Sequence, residues 1–451
     1  MEIRMNPKCR SIYAAVCLLC CLIFSPRLSS ASAQKSAIDR GIHEKLVEPS
    51  LPEKQLRSAE KFWEETNRFI LIGNLQAYGS YSALEGHDMW GGSFYGIVAP
   101  AYKLTDRSIF ILMYDGQYDR REDLYSDDYG YRKRTEFQRH AITPMLRVDF
   151  GENARYSITP SFNYTRTWNK DEGDDDKWNS GLYNYQDAGG GLDFDMRDLY
   201  GPYGTLKVGV QYYKRRYPNY DSLLDLATGN DVEKDEKDYH GIITRMEYSW
   251  IKDAGFSWMS EYSLLFKHLI DKKVVQSNGI LDPSEKQEDY VHEFNVRLWY
   301  SFEEMKGGLR LGLDLNGRIY DSNQNYVEFD SPTPGNFEVN TDFFDYRSYR
   351  ISPNIEYTFE LIPLTAHFAC SYEKVKYTDR WAKNSDGTFS YDHQWESTYQ
   401  TILGFKFDLS EKLSLLSQWE HLEARSNNDD ESVYVYDYRS NRFLVGAKYE
   451  F

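Results

Sequence analysis

The chain has 451 residues and a formal net charge of −17 at pH 7, and such an acidic surface argues against nucleic acid as a partner. Its 38 Tyr, 24 Phe and 10 Trp come with a mean hydropathy of −0.67, which argues against a large soluble core. Many aromatic residues combined with low hydropathy are typical of strands in which apolar and polar residues alternate.

The first 33 residues carry the pattern of a secretory signal peptide. Arg4, Lys8 and Arg10 precede an uncharged apolar run over 12–24, and the small-residue triplet 31–33 follows it. An apolar run of this length is shorter than the roughly 20 residues that a membrane-spanning helix needs. We therefore predict a signal peptide over 1–33, with an uncleaved anchor or a lipoprotein as the weaker interpretations. Four of the five cysteines lie in this segment, so no disulfide is predicted beyond it.

Residues 34–66 are predicted to form a short periplasmic arm that is partly helical. Within it, 53–66 has no turn residues and places Leu56, Ala59, Phe62 and Trp63 at helical spacing. A disordered leader is the alternative interpretation.

From residue 67 to the end, the hydrophobic pattern has a period of two. In 155–165, for example, Tyr156, Ile158 and Phe162 fall on one face, while polar residues fall on the other. Side chains alternate across a strand, so each such strand has one apolar and one wet face.

The connections between predicted strands alternate in length. Short turns are predicted near 105–107, 151–154, 198–203, 252–255, 303–307, 360–363 and 410–411, and long polar loops near 83–91, 121–134, 169–182, 218–237, 270–288, 322–343, 379–392 and 426–432. Seven turns and eight loops predict an all-β fold over 67–451, a transmembrane antiparallel up-and-down β-barrel of about 16 strands. A soluble β-sandwich would show neither this alternation nor such long strands.

The last strand carries the most specific pattern. Phe443, Val445, Ala447, Tyr449 and Phe451 alternate with less apolar residues, and Phe451 is the final residue. This resembles the C-terminal strand of Gram-negative outer-membrane β-barrel proteins, whose terminal phenylalanine is read by the barrel-assembly machinery. The resemblance implies outer-membrane localisation, with Phe443, Tyr449 and Phe451 as the assembly signal. The ending also looks like that of surface-lipoprotein assembly modifiers and polysaccharide-export barrels, although the helical-repeat periplasmic domain usual in those families has no room in 34–66.

The predicted inner faces carry many charged residues. The candidates for lining the lumen are Arg155, Lys207, Arg245, Glu247, Glu293, Arg297, Arg310, Asp314, Arg318, Arg350, Glu356, Glu373, Lys406 and Asp408. Rings of such charges select permeating ions in channels, whereas cross-strand ion pairs can instead fill a narrow interior. On the strand ends, Tyr212, Tyr213, Trp250, Trp258, Trp299 and Tyr300 are predicted to form interfacial girdles.

The function favoured by these patterns is a porin-like passive channel for small hydrophilic solutes, because barrels of sixteen strands typically enclose water. The alternatives are a surface export or assembly barrel, whose arm 34–66 would bind a periplasmic partner, and a structural or adhesive barrel with a filled lumen. Outer-membrane lipids and lipopolysaccharide are the expected surroundings. No catalytic motif is present, so we expect neither an enzyme nor a cofactor, and the acidic stretches 171–176, 231–238 and 427–431 lack the spacing of a metal-binding loop.

Overall fold

The alternating sequence forms long antiparallel strands. The computed structural model describes residues 68–84, 87–123, 134–171, 178, 181–220, 235–252, 254–302, 307–328, 338–430 and 437–451. The predicted signal peptide and periplasmic arm lie outside these residues. Within them, no helix has the length and apolar character needed to cross a membrane.

The described residues contain eighteen strands and one 3-10 turn at Glu152–Ala154. The strands are β1 (Phe69–Leu84), β2 (His87–Thr105), β3 (Ser108–Asp123), β4 (Arg134–Phe150), β5 (Tyr156–Asp171), β6 (Tyr185–Arg197), β7 (Gly204–Arg216), β8 (Tyr239–Trp250), β9 (Gly255–Val275), β10 (Leu281–Phe302), β11 (Gly308–Ser322), β12 (Tyr326–Glu328), β13 (Glu338–Asn340), β14 (Tyr346–Thr358), β15 (Leu364–Lys383), β16 (Phe389–Asp408), β17 (Leu413–Ser426) and β18 (Tyr438–Glu450).

Sixteen of these strands form one closed antiparallel barrel. Each strand pairs with its neighbours in chain order, β11 pairs with β14, and β1 pairs with β18 to close the sheet. The two remaining strands, β12 and β13, form a small separate hairpin between β11 and β14. Closure leaves the sheet of these sixteen strands without an unpaired edge. The predicted all-β barrel of sixteen strands is therefore confirmed.

The outer face of the barrel is apolar and exposed. Phe162 is 51% exposed, Phe294 48% and Val445 67%, while their sequence neighbours point to the opposite side. The same is true around the wall, where exposed apolar residues on the outer face include Leu71, Phe94, Phe110, Leu112, Leu192, Val208, Met246, Phe256, Ile351, Phe405, Leu415 and Phe443. A continuous exposed apolar surface of this kind needs an apolar surrounding.

Both ends of the described barrel, Arg68 and Phe451, lie at the rim formed by the short turns, which we call the short-turn rim. Between β4 and β5 this rim turns through Gly151, whose φ of 81° favours glycine, and the 3-10 turn follows.

Three of the predicted long loops are wrong. Strands β1 and β2 are separated by only two residues, 85–86, and the register continues to Leu84 opposite His87. Strands β9 and β10 likewise extend through most of 270–288, and β15 and β16 through most of 379–392. The polar residues in these segments remain in hydrogen-bonded strands that run past the length of about 9–11 residues needed to cross a bilayer. The polar residues therefore indicate where the barrel wall extends beyond its apolar outer surface. They do not indicate where the strands end.

Candidate functional site: the inner face of the barrel

Strand register determines which side chains share the inner face. Glu293 lies opposite Arg318 on β11, and Arg350 lies opposite Glu373 on β15. Following this register around the barrel places thirteen of the fourteen predicted lumen residues on the inner face. The exception is Arg155, which lies at the short-turn rim directly before β5, where its Nε donates to the carbonyl oxygen of Arg197 at 3.3 Å.

Cross-strand ion pairs join many of these residues. Arg245 Nε lies 3.0 Å from Glu261 Oε1, and Lys207 Nζ lies 3.5 Å from Glu247 Oε1. On the other side of the barrel, Arg318 pairs with Glu293 and Arg350 pairs with Glu373. The side chains of these two pairs are between 25% and 34% exposed, so each pair is half-buried in the wall. Opposite charges on adjacent strands both stabilise the sheet and reduce the net charge that a permeating ion would meet.

The remaining predicted residues also have charged neighbours. Arg297 is the register partner of Asp314, and Arg310 that of Glu356. Near the short-turn rim, Lys406 Nζ lies 2.9 Å from Asp408 Oδ1 within β16, and Ser414 Oγ donates to the same carboxylate at 2.6 Å. Asp408 is thus held by two groups at the end of its strand.

Further inner-face ion pairs were not predicted from the sequence, and two of them are among the most buried. Arg139 Nη1 lies 3.3 Å from Asp115, whose side chain is almost fully buried. Arg215 binds Asp187 with two hydrogen bonds of 2.7 and 2.8 Å, and its guanidinium lies 3.9 Å from the ring centre of Tyr185. Both arginines lie on strands with an alternating polar and apolar pattern. Their aspartate partners are 24 and 28 residues away in the sequence, so only the strand register brings each arginine to its aspartate.

Part of the inner face is polar without charge. On β5, the inward residues from Ser157 to Asn169 are serines, threonines and asparagines. Asn163 donates to Thr143 Oγ1 at 2.9 Å, and Thr165 donates to Asn163 at 3.0 Å. Similar groups on β1 are linked by the hydrogen bond of 3.2 Å between Gln76 and Asn74. Hydroxyl and amide groups can exchange hydrogen bonds with water or a neutral hydrophilic solute.

Near the short-turn rim, part of the inner face is apolar, whereas the alternating pattern predicts a polar inner face on nearly every strand. The inner apolar patch consists of Ile72, Ile97, Ala99, Ala101, Ile109, Ile111 and Met113, all at most 9% exposed. It lies on β1, β2 and β3 near the short-turn rim, as the pairing of Ile72 with Ala99 and of Ala101 with Ile111 shows. The sequence carried a signal for it, because 109–113 is apolar at every position and breaks the period of two.

Two of the predicted girdle aromatics face inward. Tyr213 is only 5% exposed and packs in an inner-face cluster with Tyr239, Ile243 and Leu269. Trp299 is the register partner of the inward-facing Gly312. Adjacent aromatics such as Tyr212 and Tyr213 must point to opposite faces of a strand, so the girdle prediction is wrong for one of each pair.

The predicted assembly residues lie on the outer face beside the seam between β1 and β18. Phe443 is 49% and Tyr449 42% exposed. Their role in assembly remains a prediction. Of the predicted acidic loops, 172–177, 231–234 and 431 lie outside the described residues. In the part that the structure describes, no three His, Cys, Asp or Glu residues are grouped so that they could hold a metal ion.

Comparisons with known proteins find similarity at the level of structure alone. No protein-family model matches the chain, and no curated protein matches its sequence. Among solved structures, it is similar to OprB of Pseudomonas putida (9% identity, TM-score 0.45, 87% of this chain and 95% of that one). It is also similar to OccK3 (OpdO) of Pseudomonas aeruginosa, with 13% identity and a TM-score of 0.43 over 84% of this chain and 96% of that one. A third similar structure is OmpT, an outer-membrane protein of Vibrio cholerae, with 12% identity and a TM-score of 0.42 over 85% of this chain and 100% of that one. At these identities the porin-like fold assignment depends on the closed sixteen-strand topology itself.

Proposed function

We propose that this protein is a channel of the Gram-negative outer membrane that lets small hydrophilic solutes diffuse across it. The observation that carries the proposal is the contrast between the two faces of one closed barrel. The outer face exposes apolar residues such as Phe162 and Val445, whereas most of the inner face carries ion pairs, hydroxyls and amides. A membrane-spanning barrel with a water-containing interior requires this arrangement.

The number of strands supports an interior wide enough for solutes. Barrels of eight strands are filled by their own side chains, whereas barrels of 16–18 strands typically leave an aqueous channel. The wall of this barrel has sixteen strands. Its inner charges are mostly paired across strands, as in Arg245 with Glu261, so we expect weak discrimination between small ions of opposite sign.

The orientation follows from the connections. In outer-membrane barrels the short turns face the periplasm and the longer connections face outward. The short-turn rim, with Arg68 and Phe451, is therefore proposed to face the periplasm. The acidic loops would then surround the outer mouth and concentrate cations there, which adds a slight cation preference.

Uptake by liposomes tests this function. Purified protein is reconstituted into liposomes, which are then placed in isotonic solutions of a pentose, a disaccharide and a larger oligosaccharide. We expect swelling that is fastest for the pentose and slowest for the oligosaccharide. Heat-dependent gel migration shows that the reconstituted barrel is folded. If folded protein causes swelling no faster than in protein-free liposomes, the result contradicts a channel and favours an export or structural barrel.

A further inference from the structure

The inner apolar patch does not serve solute permeation. A water-containing lumen favours polar walls, yet the patch places four isoleucines and a methionine on the inner face. Ile70, Tyr95 and Met145 extend it at its edges. In its middle, Ala99 and Ala101 are 0% exposed although they face the lumen, which is the burial expected of a wall that another part of the chain covers.

We propose that residues 53–66 enter the barrel from the short-turn rim and place Phe62 and Trp63 on the inner apolar patch. This segment has the chemistry that the patch requires. Leu56, Ala59 and the two aromatics are its apolar residues, and charged residues occupy most of the remaining positions. One apolar stripe on a charged segment buries its apolar side against a wall and leaves its polar side in water.

The length of chain between segment and barrel permits this docking. Arg68 is held at the short-turn rim, where its carbonyl oxygen accepts a hydrogen bond of 2.8 Å from the Lys103 backbone N–H. Trp63 precedes Arg68 by five residues, which span at most about 17 Å when extended. Ile72 lies four residues beyond Arg68 along β1, about 13 Å into the barrel. A chain that reverses direction at the rim can therefore bring Phe62 and Trp63 to the patch.

Covalent attachment favours this occupant over a separate molecule. A tethered segment has an effective local concentration in the millimolar range, whereas a second protein would have to insert a chain into the lumen from solution. The patch also lies on the first three strands, β1 to β3, which directly follow the segment. The docking does not require that the barrel conduct solutes.

Disulfide trapping tests the docking. In a Cys370→Ser background, Trp63→Cys is combined either with Ala99→Cys in the patch or with Ser352→Cys as a matched control. Ser352 also faces inward and lies six residues from the end of its strand, as Ala99 does, but it is six strands away around the wall. We expect a cross-link with Ala99→Cys at several times the yield found with Ser352→Cys. Equal yields, or no cross-link in folded protein, would overturn the proposal.

Thiol labelling gives a second readout that does not depend on trapping. In Ala99→Cys protein with the native segment, a hydrophilic maleimide is expected to react slowly. Replacing Phe62 and Trp63 by Ser should increase the labelling rate several-fold, whereas Leu56→Ser alone should have a smaller effect. An unchanged rate in the double variant would overturn the docking. Because neither readout measures permeation, failure here leaves the channel function untouched, and a failed swelling assay leaves this docking untouched.

Discussion

Gly73 and Phe451 exchange two backbone hydrogen bonds at the seam of the barrel. The Gly73 N–H donates to the Phe451 carbonyl oxygen at 3.2 Å, and the Phe451 N–H donates to the Gly73 carbonyl oxygen at 3.1 Å. A Cβ on Gly73 would clash with the backbone carbonyl oxygen of Ile97 and would also lie 2.7 Å from Cζ of the Phe451 ring. Phe451 therefore completes the closure of β1 against β18, and the close approach of β2 and of the Phe451 ring requires glycine at position 73.

Replacing Gly73 should impair closure of the barrel. We expect Gly73→Leu to lower the free energy of unfolding by about 1–3 kcal/mol and to slow assembly, because the new side chain clashes with the Ile97 carbonyl oxygen and displaces the Phe451 ring. Gly79→Leu is the matched control, since it lies on the same face of β1 and its nearest atom is 4.0 Å away. Assembly is measured as the folded fraction in outer-membrane extracts.

Deleting Phe451 should reduce the folded fraction further. The deletion removes both hydrogen bonds with Gly73 as well as the terminal aromatic residue that the resemblance assigns to assembly. Normal insertion of the truncated protein at wild-type levels would show that neither the seam contact nor the terminal residue matters for assembly.

The pair formed by Glu293 and Arg318 should show measurable coupling. We expect Glu293→Gln to destabilise the barrel, because it leaves a half-buried guanidinium without its carboxylate. Arg318→Gln in the same background should then cost less than it does alone, with a coupling free energy of about 1 kcal/mol. A double-mutant cycle by urea unfolding in lipid vesicles measures this quantity. Strictly additive effects would show that the pair contributes no specific interaction.

Much of the fold follows from the sequence because the period of two is a local signal. Alternation in 155–165 identifies a strand and both its faces without knowledge of any partner. The partner itself depends on register, which arises from contacts between distant segments. That is why the ion pair of Asp187 with Arg215 was not predicted, although both residues were visible.

Connection lengths were misjudged for a similar reason. The polar residues near Leu84 and His87 resemble a loop when only composition is considered. Their backbone groups are nevertheless satisfied by cross-strand hydrogen bonds, which extend the wall. Pairing with a neighbouring strand, and not local polarity, decides where a strand ends.

Asp345 should titrate at an unusually high pH. It lies in the connection directly before β14, where burial, with a smaller contribution from the nearby Asp342 and Asp321, raises the pKa of its carboxyl to about 6. Because the pKa is higher in the folded protein than in the unfolded chain, stability should fall as pH rises from about 4 through about 6.

Carboxyl-carbon NMR of the folded protein in micelles measures this titration. Asp386 provides the internal control, because hydrogen bonds from the Thr388 hydroxyl and backbone N–H lower its carboxyl pKa. We expect Asp386 to titrate well below Asp345. An Asp345 midpoint at or below that of Asp386 would contradict the burial of this carboxyl.

The central claim, an open polar lumen inside an apolar-coated barrel, is tested most directly by single-channel recording of two tryptophan variants. Gly404 faces inward and Gly317 outward, and a Cβ on either would meet no atom closer than 3.8 Å. We expect stable conductance steps for the native protein, clearly smaller steps for Gly404→Trp, and unchanged steps for Gly317→Trp. Absence of conductance from folded native protein, or equal conductance in both variants, would contradict an open polar lumen.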